Sequence, residues 1–373
     1  MKVLFMSCNT GMGHNSCAAA MREVFEAHGA DCATVDTLSF VSEKFSGLVA
    51  AGHVKIYRYL PGLFRWGYRY AEHHPGVFED KSAIYKLLML SSKKLETYLL
   101  DQQFDYIVTT HVFSALILTV LLKEHPELHP VTCYISTDYT CSPSTGEGNL
   151  DYYFIPDERL GKDFVRDGVR EETIVASGIP VAKRFYRHID KKQAKQAVGV
   201  DPEKRHLLLM CGSMGCGPMR QLTVQLNDML EEDMEVTIVC GTNRNLQLDL
   251  RKSCTNERIH VIGYTKQMPL LLDSADLYLT KPGGLSTSEA SVKRLPMVFV
   301  DAVAGCEEYN MRYFMELGAA ESSKTVEGLA ELCIRLLRDP QQLARMSASY
   351  PVQEYAAGEI IYQTMTGDND GKA

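Results

Sequence analysis

Residues 275–320 read ADLYLTKPGGLSTSEASVKRLPMVFVDAVAGCEEYNMRYFMELGAA. A short apolar run, Leu277 to Leu279, ends in Lys281-Pro282-Gly283-Gly284. Helix-forming residues rich in Ser and Thr follow from Leu285 to Arg294, and a second apolar run, Met297 to Val300, has the length of a buried strand. Strand, glycine turn, helix, strand is a βαβ unit. Its loop lies at the carboxyl end of a strand, where open α/β sheets bind ligands. Gly283 and Gly284 let a ligand approach the backbone. Ser286, Thr287 and Ser288 are suited to capping the helix, whose first N–H groups attract anions such as phosphate. Glu289 stands about one turn in, where a carboxylate is electrostatically comfortable; it is equally able to accept hydrogen bonds from a ribose diol. Gly-Gly alone also fits a plain surface turn, so the rest of the chain has to arbitrate.

The same order recurs along the chain. Lys2 to Met6 is a strand entering Asn9-Thr10-Gly11-Met12-Gly13-His14, and Ser16 opens a helix from Cys17 to His28. The loop lacks the third glycine of a dinucleotide fingerprint and the lysine of an ATP-type phosphate loop. His14, at the loop's tip, is a candidate general base; the alternative is a histidine that only caps the loop. Tyr106–Thr109 and Val131–Ser136 are strands that end in Thr110-His111 and Thr137-Asp138. His111 and Asp138 are each either functional or structural hydrogen-bonders. Residues 142–149 have the composition of a mobile loop. The strand His206–Met210 runs into Gly212-Ser213-Met214-Gly215-Cys216-Gly217, whose three glycines can form a nest of N–H groups for a diphosphate. The strand Val236–Cys240 ends in Gly241-Thr242-Asn243, and Ile259–Gly263 leads to Tyr264. Residues 326–348 and 351–365 read as helices. This alternation predicts parallel sheets with helices on both faces.

At 373 residues the chain has room for two domains. The boundaries are expected at 1–180 and 191–348, with a hinge between and a closing segment, 349–373. With 45% apolar and 23% charged residues the chain is globular. Its net charge of −8 argues against a nucleic-acid partner. Eleven cysteines without a C-x-x-C pair suit a reduced cytosolic protein better than a disulfide frame or a zinc site. Met1 to Met6 is too short for a signal peptide, and no run of ~18 apolar residues predicts a membrane span. One segment departs from the average. Residues 43–74 interleave aromatics, among them the chain's one tryptophan, Trp66, with Lys55, Arg58, Arg65 and Arg69. That mixture suits an anionic membrane surface; an aromatic helical pair packed into the core is the alternative. Asp368-Asn369-Asp370 is a D-x-D in a polar tail and carries no expectation of a metal.

KPGGLSTSEA at 281–290, LP at 295–296, GCEEYN at 305–310, GAA at 318–320 and Gly-x-Gly-His-x-x-x-Ala at 11–18 carry a resemblance over most of the chain. They resemble the GT-B glycosyltransferases of the monogalactosyl- and processive glucosyl-diacylglycerol synthase family, related to the lipid-linked N-acetylglucosaminyl transferase of peptidoglycan synthesis. The resemblance implies an α/β fold of two doubly wound Rossmann-like domains facing across a cleft. It implies inverting transfer of a hexose, glucose or galactose, from a UDP-sugar to diacylglycerol or a related lipid, with no metal or other cofactor. Residues 43–74 would then hold the protein peripherally on the inner face of the plasma membrane. His14 or Asp138 would be the base. Gly13, Gly212, Ser213, Gly215, Gly241, Asn243, Lys281, Gly283, Gly284, Ser286 and Thr287 would border the donor, with Glu289 on the ribose and Gly263 and Tyr264 beside the uracil. Glu307, Glu308 and Asn310 would face the sugar. Cys306 stands where the family has glutamine, and Cys141-Ser142-Pro143 where relatives often carry a histidine. The first departure bears on the donor sugar and the second on the acceptor. A soluble acceptor, a nucleotide-sugar epimerase and a non-catalytic UDP-sugar sensor are the other readings.

Overall fold

The computed structural model describes residues 1–9, 12–40, 62, 69–70, 92–300, 302, 305–352 and 355–367. Apart from Gly62, Arg69 and Tyr70, the expected membrane segment 43–74 lies outside the described residues. The chain divides into two compact units. One is Met1–Lys183 with Val303–Cys306 and Glu354–Ala373; the other is Arg184–Ala302 with Glu307–Gln353.

The first unit runs β1 (Lys2–Ser7), α1 (Met12–Ala27), β2 (Asp31–Asp36), α2 (Ser92–Gln102), β3 (Tyr106–Thr109), α3 (Val112–Glu124), β4 (Val131–Ile135), β5 (Tyr152–Ile155), α4 (Gly161–Asp167) and β6 (Ile174–Ala176). All strands are parallel, in the order β2-β1-β3-β4-β5-β6. Val3, Leu4, Phe5 and Met6 of β1 have no exposed surface, as expected of a parallel strand covered on both faces. Strand order reverses at β1, so the crevice where ligands bind in such sheets opens beyond β1 and β3.

Two expectations are corrected here. The first helix begins at Met12, not Ser16, so Gly13 and His14 lie in its first turn and not on a loop tip. Tertiary bonds hold that turn. Ser7 donates to Asn15 Oδ1 (2.7 Å), Asn15 Nδ2 to Asn9 Oδ1 (3.2 Å), and Thr110 Oγ1 to the His14 carbonyl (3.2 Å). The stretch 142–149, expected to be loose, is pinned. It contains a 3-10 turn, Thr145–Glu147, with Gly146 N bonded to Asp167 Oδ2 (2.8 Å) and Asn149 N to Thr119 Oγ1 (2.9 Å).

The second unit runs α5 (Lys191–Ala197), β7 (Arg205–Met210), α6 (Met219–Met229), β8 (Met234–Val239), α7 (Arg244–Ser253), β9 (Ile259–Ile262), α8 (Met268–Ser274), β10 (Leu277–Thr280), α9 (Gly284–Val292), β11 (Met297–Phe299), α10 (Cys306–Leu317), β12 (Ala320–Ser322), α11 (Val326–Leu337) and α12 (Pro340–Ala348). Its parallel sheet has the order β12-β11-β10-β7-β8-β9, the arrangement of dinucleotide-binding sheets. Leu207, Leu209, Val236, Ile238, Leu277, Leu279 and Val298 are fully buried in its core. Each contributes about 1.5–3 kcal/mol by leaving water. The single helix expected over 326–348 is two. Pro340 cannot continue a helix but fits the first position of a new one, and Asp339 caps that helix through Gln342 N (2.9 Å).

The last helix, α13 (Ala357–Thr366), belongs to the first unit and packs on α1. Tyr362 stacks on His28 with ring centroids 3.9 Å apart and meets Phe25 edge-on at 5.1 Å. A Cβ on Gly358 would lie 2.8 Å from Val24 Cγ2, so glycine sets how closely the helices approach.

Candidate functional site

In the first unit the site grows from the ends of β1, β3 and β4. His14 Nδ1 lies 2.7 Å from the Thr110 carbonyl oxygen and 3.0 Å from Thr137 Oγ1. A carbonyl only accepts, so Nδ1 carries the proton and Nε2 the basic lone pair. His111 is the N-cap of α3 and accepts from Phe113 N through its Nδ1 (3.1 Å). Its neutral form therefore keeps the proton on Nε2. The two imidazoles meet edge-on, 4.7 Å between centroids. Asp138 is half-buried and follows Thr137, and its carbonyl accepts from Ser136 Oγ (3.0 Å). His14, His111, Thr110 and Thr137 thus form one contacting group. The two threonines escaped the sequence reading. The available signal was a hydroxyl residue at each strand end beside β1.

In the second unit β7 and β10 are neighbours, with Met210 opposite Thr280. The loops that follow them therefore leave the sheet side by side at its switch point. In the first of these loops Gly212, Gly215 and Gly217 have φ of +72°, +56° and +97°. A Cβ on Gly215 would stand 2.4 Å from the Cys240 carbonyl oxygen, and one on Gly241 would stand 2.1 Å from that of Ser213. Thr242 N donates to the Ser213 carbonyl (2.9 Å) and Asn243 Nδ2 to that of Gly215 (3.2 Å). The glycines let the two loops interlock. Asn243 Oδ1 also caps α7 through Leu246 N (3.0 Å), so both ends of this amide hold scaffold. With the Gln247 amide oriented to satisfy its neighbours, its oxygen accepts from Gly263 N (3.0 Å). Tyr264 beside it is 66% exposed.

In the opening stretch Gly283 is the N-cap of α9 and, among the described residues, no side chain caps the helix. The hydroxyls expected to do so turn back instead. Thr287 Oγ1 and Ser288 Oγ donate to the Gly284 carbonyl (2.9 and 2.7 Å), and Ser286 is already the third helical residue. Hydroxyls inside a helix prefer carbonyls one turn behind. The first N–H groups of α9 therefore lack a side-chain cap. The KPGG turn is clamped by α10. Lys281, 6% exposed, is 3.6 Å from Glu307, and the buried Asn310 donates from Nδ2 to the Pro282 carbonyl (2.9 Å). Lys281, Glu307 and Asn310, singled out separately in the sequence, are here one assembly; Glu308 is half-buried on the same helical turn. Glu289, on α9, is half-buried and has no hydrogen-bond partner among the described residues. Burial pushes its carboxyl up to about 7, with the Arg184 guanidinium pulling the other way. Among the described residues no group of three or more His, Cys, Asp or Glu is arranged to hold a metal, and no helix is long and apolar enough to cross a membrane.

Two family models match, "Monogalactosyldiacylglycerol (MGDG) synthase" over residues 14–181 and "Glycosyltransferase family 28 C-terminal domain" over residues 206–358. The chain is 30% identical over 257 residues to a processive diacylglycerol beta-glucosyltransferase of Staphylococcus carnosus, spanning 68% of this chain and 64% of that relative. A protein of the same description from Staphylococcus saprophyticus is 26% identical over 371 residues, 97% of this chain and 90% of its own. Among solved structures, MurG of Acinetobacter baumannii superposes with a TM-score of 0.65 at 14% identity, covering 98% of this chain and 99% of that one. The matches in both units, on two six-stranded parallel sheets with flanking helices, place the chain among the GT-B glycosyltransferases of the monogalactosyldiacylglycerol synthase and processive diacylglycerol glucosyltransferase family.

Proposed function

We propose that the protein transfers glucose or galactose, with inversion, from a UDP-sugar to diacylglycerol or a related lipid at a membrane surface. The observation that carries the donor half of this reading is Glu289. A partly buried carboxylate without a hydrogen-bond partner among the described residues, on a helix whose first N–H groups none of their side chains caps, is a pair of acceptors beside a set of donors. A nucleoside diphosphate satisfies both, with its ribose diol on the carboxylate and its diphosphate on the main-chain N–H groups of 283–287 and 212–217. Glu307, Glu308 and Asn310, on the helix that clamps the KPGG turn, are the groups assigned to the sugar hydroxyls in this reading.

The first unit supplies the base. His14 Nε2 takes the proton of the acceptor hydroxyl as its oxygen bonds to the anomeric carbon. The bond from that carbon to the diphosphate oxygen breaks on the opposite face, and UDP leaves with the electron pair. Backbone N–H groups offset the charge that develops on the diphosphate, so the step calls for no cofactor besides the donor. Asp138 is the other candidate for the proton. The lipid acceptor, and docking on the inner face of the plasma membrane through 43–74, rest on that segment's aromatic and cationic composition and on what the relatives are named for.

The test is incubation of the purified chain with diacylglycerol vesicles and a panel of UDP-sugars, the products being read by mass spectrometry. Glycosyl-diacylglycerol formed from a UDP-hexose is the expected result. UDP-sugar converted without any lipid product would end the lipid-acceptor reading and point to an epimerase.

A further inference from the structure

We propose that Thr137 is a positioning residue for His14, its hydroxyl oxygen sharing with the Thr110 carbonyl the proton on the imidazole's Nδ1. The proposal rests on the reading of His14 as the base. Its geometry stands apart from that reading. Thr137 is 4% exposed at the end of β4, and its Oγ1 lies 3.0 Å from His14 Nδ1. The Thr110 carbonyl is 2.7 Å from the same nitrogen. Thr110 is itself tied to the neighbouring strand β1, its N–H donating to the Met6 carbonyl (3.1 Å). The carbonyl can only accept, so a ring with its proton moved to Nε2 loses that bond, and the Thr137 hydroxyl would have to turn round from acceptor to donor. Nε2 is then the nitrogen presented to an acceptor hydroxyl.

The arrangement also favours the charged ring. When Nε2 takes a proton, the Nδ1–H becomes a stronger donor, and both oxygens gain from the charge. Thr137 therefore holds the imidazolium as well as aiming the neutral ring. Of the other titratable groups, His111 meets His14 edge-on from the start of α3 and Asp138 follows Thr137 in the chain, while Asp36 at the end of β2 accepts from Asn9 N (3.3 Å). Of the two oxygens on Nδ1, only that of Thr137 belongs to a side chain and is removable by substitution.

The experiment compares Thr137→Val, which keeps the shape and loses the oxygen, with Thr137→Ser, which restores it. His14 is titrated by nitrogen-15 NMR in the full-length protein, and kcat and KM are followed against pH with diacylglycerol vesicles. In the valine variant the His14 pKa is expected to fall by roughly half a pH unit to one, because a hydrogen bond to the charged form is lost. The acidic limb of kcat moves to lower pH with it. The plateau of kcat drops about three- to tenfold, the worth of one neutral hydrogen bond, with KM little changed. Serine returns both quantities to the wild-type value. A valine variant with an unaltered His14 titration overturns the proposal. So does a serine variant as impaired as valine, since that result marks a packing defect. Should His14→Ala keep full turnover, the base reading fails by itself, and the titration still decides whether Thr137 holds His14.

Discussion

Glu289 pits binding against stability at a single side chain. Its carboxyl is held at about 7 against an ordinary value of 4.5. A raised carboxyl favours the protonated folded state, so folding stability falls as pH rises through 4.5 and the cost is complete above about 7. Glu289→Gln removes that cost. The ligand-free variant should melt higher than the wild type at pH 8 and level with it at pH 4, as differential scanning calorimetry would reveal. UDP should bind the same variant about ten- to a hundredfold more weakly, because hydrogen bonds to a charged acceptor are lost; isothermal titration measures this, and unaltered affinity would remove Glu289 from the nucleotide site. For His14→Ala, turnover should fall by on the order of two to four decades if the imidazole is the base. Full activity there together with an inactive Asp138→Asn would transfer the role. Residue types and spacing are what single these positions out in the sequence: a carboxylate about a turn past Gly-Gly, a histidine after Gly-x-Gly. Thr110 and Thr137 were not readable, because small hydroxyl residues at strand ends are common and their meaning comes only from the ring they meet across 96 and 123 residues of chain.

At the scale of elements, the stretch 275–300 was legible to within a residue or two. Its strands are buried on both faces and read as unbroken apolar runs, and its glycines fall between elements. β2 went unread because its residues are half-buried or exposed, so no apolar run marks it. The start of α1 was misplaced because side-chain bonds to the ends of neighbouring elements hold its first turn, and such bonds leave no local mark in the sequence. The interlocked glycine loops allow a sharp comparison. Gly215→Ala puts a methyl 2.4 Å from a backbone oxygen, which only loop displacement relieves. Gly212→Ala meets nothing within 4 Å and carries only the strain of its positive φ, roughly 1–2 kcal/mol. Urea unfolding should therefore find Gly215→Ala the more destabilised of the two by at least about 1 kcal/mol, with UDP binding lost alongside. Equal stabilities would mean that the two loops are not locked together.

At the scale of the molecule, two units with separate sheets should unfold as two calorimetric transitions, and UDP should raise only the one that binds it. Removing the chain from Ala357 onward strips Ile361, Tyr362 and Met365 from a buried face against α1. The loss is on the order of 5 kcal/mol to the first unit. Its transition should fall or vanish, while the second unit's transition and its response to UDP remain. A uniform fall of both would show that the units are not thermally independent. The placement of α13 has a further consequence during biosynthesis. The ribosome finishes every strand of the first sheet early, yet the helix that covers α1 emerges only after the whole second unit has been made. The N-terminal half must therefore wait with that surface uncovered, a natural landing place for a chaperone, while the half made later is free to fold first.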